Sequence, residues 1–256
     1  NFLETVERCK ATIEHDINNG FDLLHIDVSR ANENTQAELA TILIEHALSK
    51  NPNISLEFGS EDNTGQNLHD TLLRIDQQIE LASNYKNNIK FLVSQTGSLT
   101  KHTQVGVFDE KLSTYIANKI HAAGFLFKEH NADYLTVSHV EKRRKVGVDA
   151  INIAPQLGYV HSCVIDKLGY RYEQLLLEFK KYVVSQGMWK KWVVDGMNDD
   201  EIKFLVSAHY YFNSDLGLLI NNAIDNYSSP LNDIIYDEVS MVLDQYRLGY
   251  EDRRTI

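Results

Sequence analysis

Five short apolar segments, each preceded by an amphipathic helix pattern, constrain the fold of this sequence more than any other feature. They begin near residues 23, 54, 89, 125 and 148, and the residues between them are enough for one helix and its loops. A short apolar run between turn residues is typical of a strand buried on both faces. Strands that alternate with helices predict a parallel sheet wrapped by helices, and so an α/β fold.

The strand patterns stop after Ala154, and the rest of the chain reads as helices up to about residue 249. One apolar stripe contains Leu176, Phe179 and Val183 at helical spacing, and similar stripes follow it. We therefore predict two regions: an α/β portion over residues 1–160, and a helical C-terminal region over residues 161–256 that packs on it.

Charge and cysteine content exclude several classes of protein. The 25 Lys and Arg residues against 36 Asp and Glu residues give a net charge of −11, which argues against nucleic acid or an anionic membrane as the partner. Cys9 and Cys163 stand far apart, no signal-like segment opens the chain, and no apolar run is long enough to span a bilayer. These features predict a cytoplasmic protein with reduced thiols.

Polar and ionisable side chains follow every predicted strand. In parallel α/β folds the carboxyl ends of the strands meet at one rim, where ligands bind. The candidate site residues, in strand order, are Asp27; Glu57 and Glu61; Gln95, Lys101 and His102; His130, Asn131 and Asp133; and Asn152.

The imidazoles and carboxylates of this set suggest a metal site. His102, His130 and Glu57 are the ligand types of a divalent metal ion such as zinc. A metal there would polarise a carbonyl group, while Asp27 or Glu61 moves protons. The alternative is that both histidines only hydrogen-bond loop backbones, and the sequence leaves both readings open.

A basic cluster, Lys142-Arg143-Arg144-Lys145, lies in the last turn of a predicted helix that ends at Gly147. Cations at this end of a helix interact favourably with its dipole. A surface patch for a polyanion is the alternative.

Several segments of the chain together resemble a known family. They are Phe21–Ser29, Leu56–Gly65, Gln95–Gly97, Lys101–Thr103, His130–Tyr134 and Tyr246–Gly249. In this order they resemble the class II ketose-bisphosphate aldolase superfamily, and more closely the accessory (Z-type) subunit family of tagatose-bisphosphate aldolase. The resemblance runs from about residue 2 to residue 250.

The resemblance implies a (β/α)8 TIM barrel of which the last five βα units are visible, followed by a helical C-terminal extension. We expect either that an N-terminal part is missing from this sequence or that another chain covers the gap. The resemblance also places His102 and His130 at metal-binding positions and Asn152 at a substrate-contacting asparagine. We expect four further residues to line the substrate site: Gln95, Lys101, Asn131 and Asp133.

One departure from the family pattern favours a non-catalytic subunit over a catalytic aldolase. Catalytic aldolases of this superfamily have a Gly-Gly-Ser-Gly phosphate loop where this chain has Asn131-Ala132-Asp133-Tyr134, and Asp133 would repel a phosphate dianion. We therefore predict a non-catalytic, stabilising subunit of class II D-tagatose-1,6-bisphosphate aldolase. Its partner would be a catalytic aldolase subunit or a second copy, with a sugar phosphate as a possible ligand.

Two alternatives stay open. The chain is itself a metal-dependent class II aldolase, a lyase acting on a phosphorylated or acidic sugar; or it is a sugar-binding barrel with neither metal nor turnover.

Overall fold

The computed structural model describes residues 2–29, 31–59, 68–94, 101, 107–130, 132–226 and 230–251. Helices and strands alternate through the first part of the chain in the order α1 (Phe2–Asn18), β1 (Leu23–Asp27), α2 (Glu33–Lys50), β2 (Ser55–Gly59), α3 (Leu68–Ser83), β3 (Ile89–Ser94), α4 (Glu110–Ala122), β4 (Leu126–Glu129), α5 (Val137–Lys145) and β5 (Ala150–Ile151). Helices follow: α6 (Pro155–Gly169), α7 (Glu173–Ser185), α8 (Asp200–Leu205), α9 (Asp215–Asp225) and α10 (Leu231–Tyr250).

The five strands form one parallel sheet in the order β1-β2-β3-β4-β5. All five strand predictions are confirmed, and the fold is α/β, as the TIM-barrel-like reading requires. The fifth strand is much shorter than the predicted run from Val148 to Ala154 and pairs only through Ala150 and Ile151. Within the described residues β1 and β5 are the two edges of the sheet.

The chain divides into two compact units. Unit 1 comprises Asn1–Ser98, Val107–His130 and Arg143–Asn152, and unit 2 comprises Leu99–Gly106, Asn131–Lys142 and Ile153–Ile256. The predicted domain boundary near residue 160 stays a prediction.

The core of unit 1 lies between one face of the sheet and helices α1 to α4. Each of β1 to β4 contributes a residue that points to this face and is at most 4% exposed: Leu24, Leu56, Leu92 and Phe127. Local signals fix the helices that cover them: the Asp109 side chain accepts the Leu112 N–H at the start of α4, and Gly124 ends that helix with a φ of 84°.

Unit 2 contains the predicted helical region. Its core is built from apolar stripes of α6, α7, α9 and α10, with Phe179 and Ile220 fully buried. No helix in the described part of the chain is long and apolar enough to cross a membrane.

The Tyr246 hydroxyl of α10 forms hydrogen bonds with residues 132–135 and with Gln156 of α6. Its oxygen accepts the Leu135 N–H at 3.0 Å, and its single proton is shared between the Ala132 carbonyl at 2.9 Å and Gln156 Oε1 at 2.7 Å. Tyr246→Phe leaves the buried Leu135 N–H without its acceptor. We expect a loss of about 1–3 kcal/mol in the free energy of unfolding, measured by chemical denaturation.

Tyr236→Phe is the matched control for this prediction, because Tyr236 lies on the same helix and is 72% exposed. Equal stability of the two variants would show that the buried hydroxyl contributes nothing.

Candidate functional site

One face of the sheet in unit 1 carries ionisable side chains, and we call it the polar face. Side chains at alternate strand positions point to the same side of a sheet. In the sheet His25 pairs with Glu57, Asp27 with Gly59, and Val93 with Lys128. The ionisable residues among these therefore lie on the face opposite to α1–α4. Gly59 allows β2 to approach β3 closely here, since a Cβ at this position would lie 2.1 Å from the Val93 carbonyl oxygen.

Glu57 is the centre of the polar face. Its carboxylate is 4% exposed, and it accepts hydrogen bonds from Lys128 Nζ at 2.6 Å and from His25 Nδ1 at 2.9 Å. Burial alone would raise the pKa of Glu57, but the hydrogen bonds from His25 and Lys128 and the charge of Lys128 outweigh it and hold the pKa below its ordinary value. The carboxylate is therefore ionised and paired with the ammonium group.

The bond to Glu57 also fixes the state of His25. An ionised carboxylate can only accept, so His25 Nδ1 carries the proton. The other ring nitrogen, Nε2, is buried and has no hydrogen-bond partner among the described residues. The imidazole is thus held through Nδ1 by the Glu57 carboxylate.

His130 directly follows β4 and lies within electrostatic reach of the same cluster. Burial lowers the pKa of His130 to about 4; His25 and Lys128 act in the same direction, and Asp27 and Glu57 act in the opposite one. His130 is therefore neutral near pH 7. A neutral imidazole is what a metal ligand or a general base needs.

Asp27 and Asn152 complete the described part of the predicted rim in unit 1. Asp27 Oδ1 accepts a hydrogen bond from the Ser29 N–H at 2.8 Å, and Oδ2 takes no part in this bond. Asn152 is anchored through its backbone N–H to the Glu129 carbonyl oxygen at 3.1 Å. The β1–β2 register places Asp27 on the same side of the sheet as Glu57.

In unit 2, Asp133 occupies the N-terminus of α6. Its buried carboxylate accepts the backbone N–H groups of Ala154 at 3.0 Å and Gln156 at 2.9 Å. Burial raises the pKa of Asp133, against the lowering effect of these backbone hydrogen bonds. A helix N-terminus is where a phosphate group would otherwise bind, so a carboxylate of the chain itself fills that position.

Tyr134, the next residue, has a φ of 59°, in the left-handed region that bulky residues rarely adopt. Its N–H donates to Gln156 Oε1 at 2.7 Å, which holds this backbone in place. Gln156 therefore holds the backbone at Tyr134 within unit 2.

The remaining predicted residues fall into two groups. Lys101, expected to bind substrate, lies in unit 2 and its ammonium is 3.4 Å from the Val193 carbonyl oxygen. Four others lie outside the described residues: Glu61, Gln95, His102 and Asn131.

The described side chains do not by themselves fit a metal ion. Within the described residues, no group of three or more His, Cys, Asp or Glu side chains is placed to hold one. Of the predicted ligands, Glu57 already has each oxygen hydrogen-bonded and faces an ammonium group rather than an open position.

Two residues of the polar face were missed by the sequence reasoning, His25 and Lys128. Both lie inside strands, two positions before Asp27 and His130 respectively, whereas the candidate residues were predicted at or beyond the strand ends. The alternation of side chains along a strand could have predicted both, because residues two positions apart share a face. His25 therefore lies on the face of Asp27, and Lys128 on that of His130.

Comparison with protein-family models gives no match. Curated protein sequences give none either.

Solved structures do match. A probable tagatose 6-phosphate kinase from Sinorhizobium meliloti 1021 superposes with a TM-score of 0.66 at 15% identity, over 96% of this chain and 74% of that one. A fructuronate-tagaturonate epimerase from Cohnella laeviribosi gives a TM-score of 0.52 at 13% identity, over 94% of this chain and 64% of the epimerase. At these identities the likeness establishes the fold alone.

Proposed function

We propose that this chain acts in ketose phosphate metabolism as a TIM-barrel subunit that stabilises or activates a catalytic class II tagatose-bisphosphate aldolase. The sequence resemblance to the accessory-subunit family supports this role. So does the fold, which it shares with proteins named for tagatose 6-phosphate, fructuronate and tagaturonate.

The Glu57–Lys128 ion pair is the observation that carries the proposal. A metal-dependent aldolase needs its carboxylates and imidazoles free to coordinate a cation. Here the Lys128 ammonium already sits 2.6 Å from the central carboxylate, with its side chain 12% exposed. Bringing a divalent cation to Glu57 would place it against this fixed positive charge.

The Asp133 contacts of unit 2 support the same conclusion. The carboxylate that replaces the phosphate loop of catalytic aldolases is buried and bound to two backbone N–H groups. A phosphate dianion would have to displace it and would meet its charge.

The edges of the sheet support a protein partner. A (β/α)8 barrel closes its sheet with eight strands, and five are described here. Parallel strands are normally covered and paired on both sides. We propose that β1 and β5 pair with further strands in the complete assembly, which forms a closed barrel.

A second function, a metal-dependent class II aldolase, is favoured by one specific arrangement. His25 donates from Nδ1 to Glu57, which is how metal-binding histidines are oriented by a carboxylate. With His25, His130 and the predicted His102 as ligands, a zinc ion would polarise a substrate carbonyl. Glu57 would then orient His25 rather than bind the metal, and Asn152 would hold the substrate.

One experiment separates the two functions. Purified chain is assayed for cleavage of tagatose 1,6-bisphosphate with Zn²⁺, Co²⁺, Mn²⁺ or Mg²⁺, alone and after addition to a purified class II tagatose-bisphosphate aldolase catalytic subunit. We expect no cleavage by the chain alone, and a higher rate or longer lifetime of the aldolase in its presence.

The His130→Ala variant makes the comparison decisive. An accessory role predicts that this variant stimulates the aldolase as well as the wild type does. Turnover by the isolated chain that disappears together with bound zinc in His130→Ala would instead establish the metal-dependent aldolase.

A further inference from the structure

Two histidines of unit 2 lie side by side, and the proposed function uses neither of them. His161 is on α6, and His209 is on the short 3₁₀ helix Ala208–Tyr211, which packs against α6. The closest approach is at Gly158 of α6, where a Cβ would lie 2.7 Å from Nδ1 of the His209 ring. Gly158 and His161 are three positions apart, and residues at this spacing are neighbours on the surface of a helix. The His209 ring therefore lies against the side of α6 that carries His161.

Each of the two rings has one buried nitrogen without a hydrogen-bond partner in the described part of the chain: Nε2 of His161 and Nδ1 of His209. A neutral imidazole carries a single proton, so the buried nitrogen can keep its lone pair while the other nitrogen carries the proton. A protonated imidazole has an N–H at both positions. The buried N–H would then have neither an acceptor nor water, which is unfavourable.

Aromatic rings, rather than carboxylates, lie against the pair. The centre of the His161 ring is 3.9 Å from that of Phe212, and the centre of the His209 ring is 4.1 Å from that of Tyr210. No carboxylate of the described residues contributes to the pKa of either histidine. Titratable groups of α6 and of the helices packed against it interact with other groups instead: Tyr159 with Cys163, Lys180 with Asp166 and Glu201, Lys203 with Asp200, Tyr182 with Tyr211, Asp225 with the Leu231 N–H, and Arg247 with Asp244.

Both histidines are therefore harder to protonate in the folded chain than in the unfolded one. Burial lowers the pKa of His161 to about 4, and the charge of His209 acts in the same direction. Burial also lowers the pKa of His209. A histidine in an unfolded chain has a pKa of about 6.5, so below this pH the unfolded state binds protons that the folded state does not. The free energy of unfolding is thus unaffected by the pair above about pH 6.5 and falls as the pH drops from there towards 4.

We propose that His161 and His209 form an acid-sensitive contact between α6 and the Ala208–Tyr211 helix, which holds while both rings are neutral and opens when either ring is protonated. A tryptophan lies next to this contact, because the Tyr210 hydroxyl accepts a hydrogen bond from Trp192 Nε1 at 3.1 Å. Tryptophan fluorescence therefore reports on its opening. The contact is independent of the proposed function, which depends on the polar face of unit 1.

The test compares the wild type with His161→Leu and His209→Leu, since leucine is close to histidine in volume and does not titrate. Urea unfolding is followed by tryptophan fluorescence between pH 7.5 and pH 4. Over this range the unfolding equilibrium constant of the wild type should rise about a hundredfold more than that of His161→Leu, as expected for a pKa of about 4 when folded and about 6.5 when unfolded. His209→Leu should also reduce the rise. Without urea, acrylamide should quench wild-type fluorescence more strongly at pH 4 than at pH 7.5, and His161→Leu should remove this difference.

His139→Gln is the control, since this histidine of unit 2 is on α5, and its Nδ1 accepts the Thr136 N–H at an exposed position. It should keep the pH dependence of the wild type. NMR titration of the wild-type histidine rings needs no variant, and the His161 ring should titrate near pH 4 in the folded chain. The proposal is overturned if His161 titrates near pH 6.5 in the folded chain, if both leucine variants keep the wild-type pH dependence, or if His139→Gln removes as much of it as they do.

Discussion

Arg143→Met is expected to lower the free energy of unfolding of unit 1 by about 3–5 kcal/mol, the usual cost of removing one partner from a buried ion pair. Arg143 on α5 is 4% exposed, its Nε donates to Glu129 Oε2 on β4, and its guanidinium lies 4.2 Å from the centre of the Phe108 ring. Methionine can fill much of the space but removes the positive charge that Arg143 places against Glu129, a residue that is 2% exposed.

The measurement must report on unit 1. Both tryptophans of the chain, Trp189 and Trp192, lie in unit 2, so hydrogen exchange of the β3 and β4 amides is the direct probe. Lys145→Met, an exposed position in the last turn of the same helix, should change stability by less than about 0.5 kcal/mol.

A second variant tests the cause of the Arg143→Met effect. Glu129→Leu/Arg143→Met removes both charges and should recover most of the loss, because an apolar pair of similar volume is often as stable as a buried ion pair. If Arg143→Met and Lys145→Met cost the same, the ion pair between Arg143 and Glu129 does not stabilise unit 1.

Much of the fold was predictable because its signals are local. A buried parallel strand is an apolar run such as Leu23–Asp27 between turn residues, and a helix end is a glycine such as Gly124; both can be read without knowing the neighbours. The shortening of the fifth strand to Ala150–Ile151 could not be read from the sequence, because strand length depends on how far β4 extends beside it.

The candidate site was less predictable because its chemistry depends on pairing across strands. From the sequence, Glu57 is a residue type that can bind a metal ion. Its ion pair becomes visible only when the β1–β2 register and the contact with Lys128 from β4 are known. Asp133 likewise reads as a rim carboxylate until its bonds to the start of α6 are known. Arg143 reads as part of a basic surface cluster, yet it is buried.

Lys128→Met is the second variant with a large expected effect, and it tests the polar face directly. Removing the ammonium leaves His25 as the one donor to the buried Glu57 among the residues that the structure describes. We expect a loss of about 3–5 kcal/mol in the free energy of unfolding near pH 7. Burial then raises the pKa of Glu57, and the loss of the Lys128 charge lets the pKa of His130 rise from about 4. NMR titration of the His130 ring should detect this rise.

The pH dependence of stability gives the sharper test. In the wild type the folded pKa of Glu57 lies below its unfolded value, so the ion pair stabilises the fold above about pH 4.3, the ordinary pKa of a glutamate, and this stabilisation is lost as pH falls through the folded pKa. In Lys128→Met the carboxyl group takes up a proton more readily. The difference in stability between wild type and variant should therefore be largest near neutral pH and shrink towards pH 4.

The controls isolate the ion pair from the general effect of losing a strand lysine. Lys90→Met changes an exposed lysine on neighbouring β3 and should have little effect at any pH. Glu57→Gln/Lys128→Met should recover most of the stability at pH 7, because the amide oxygen still accepts from His25 and no charge is left buried. A Lys128→Met loss that is no larger than that of Lys90→Met, or that does not change with pH, would mean that Glu57 is not held by Lys128, and the polar face would then be open to a metal ion.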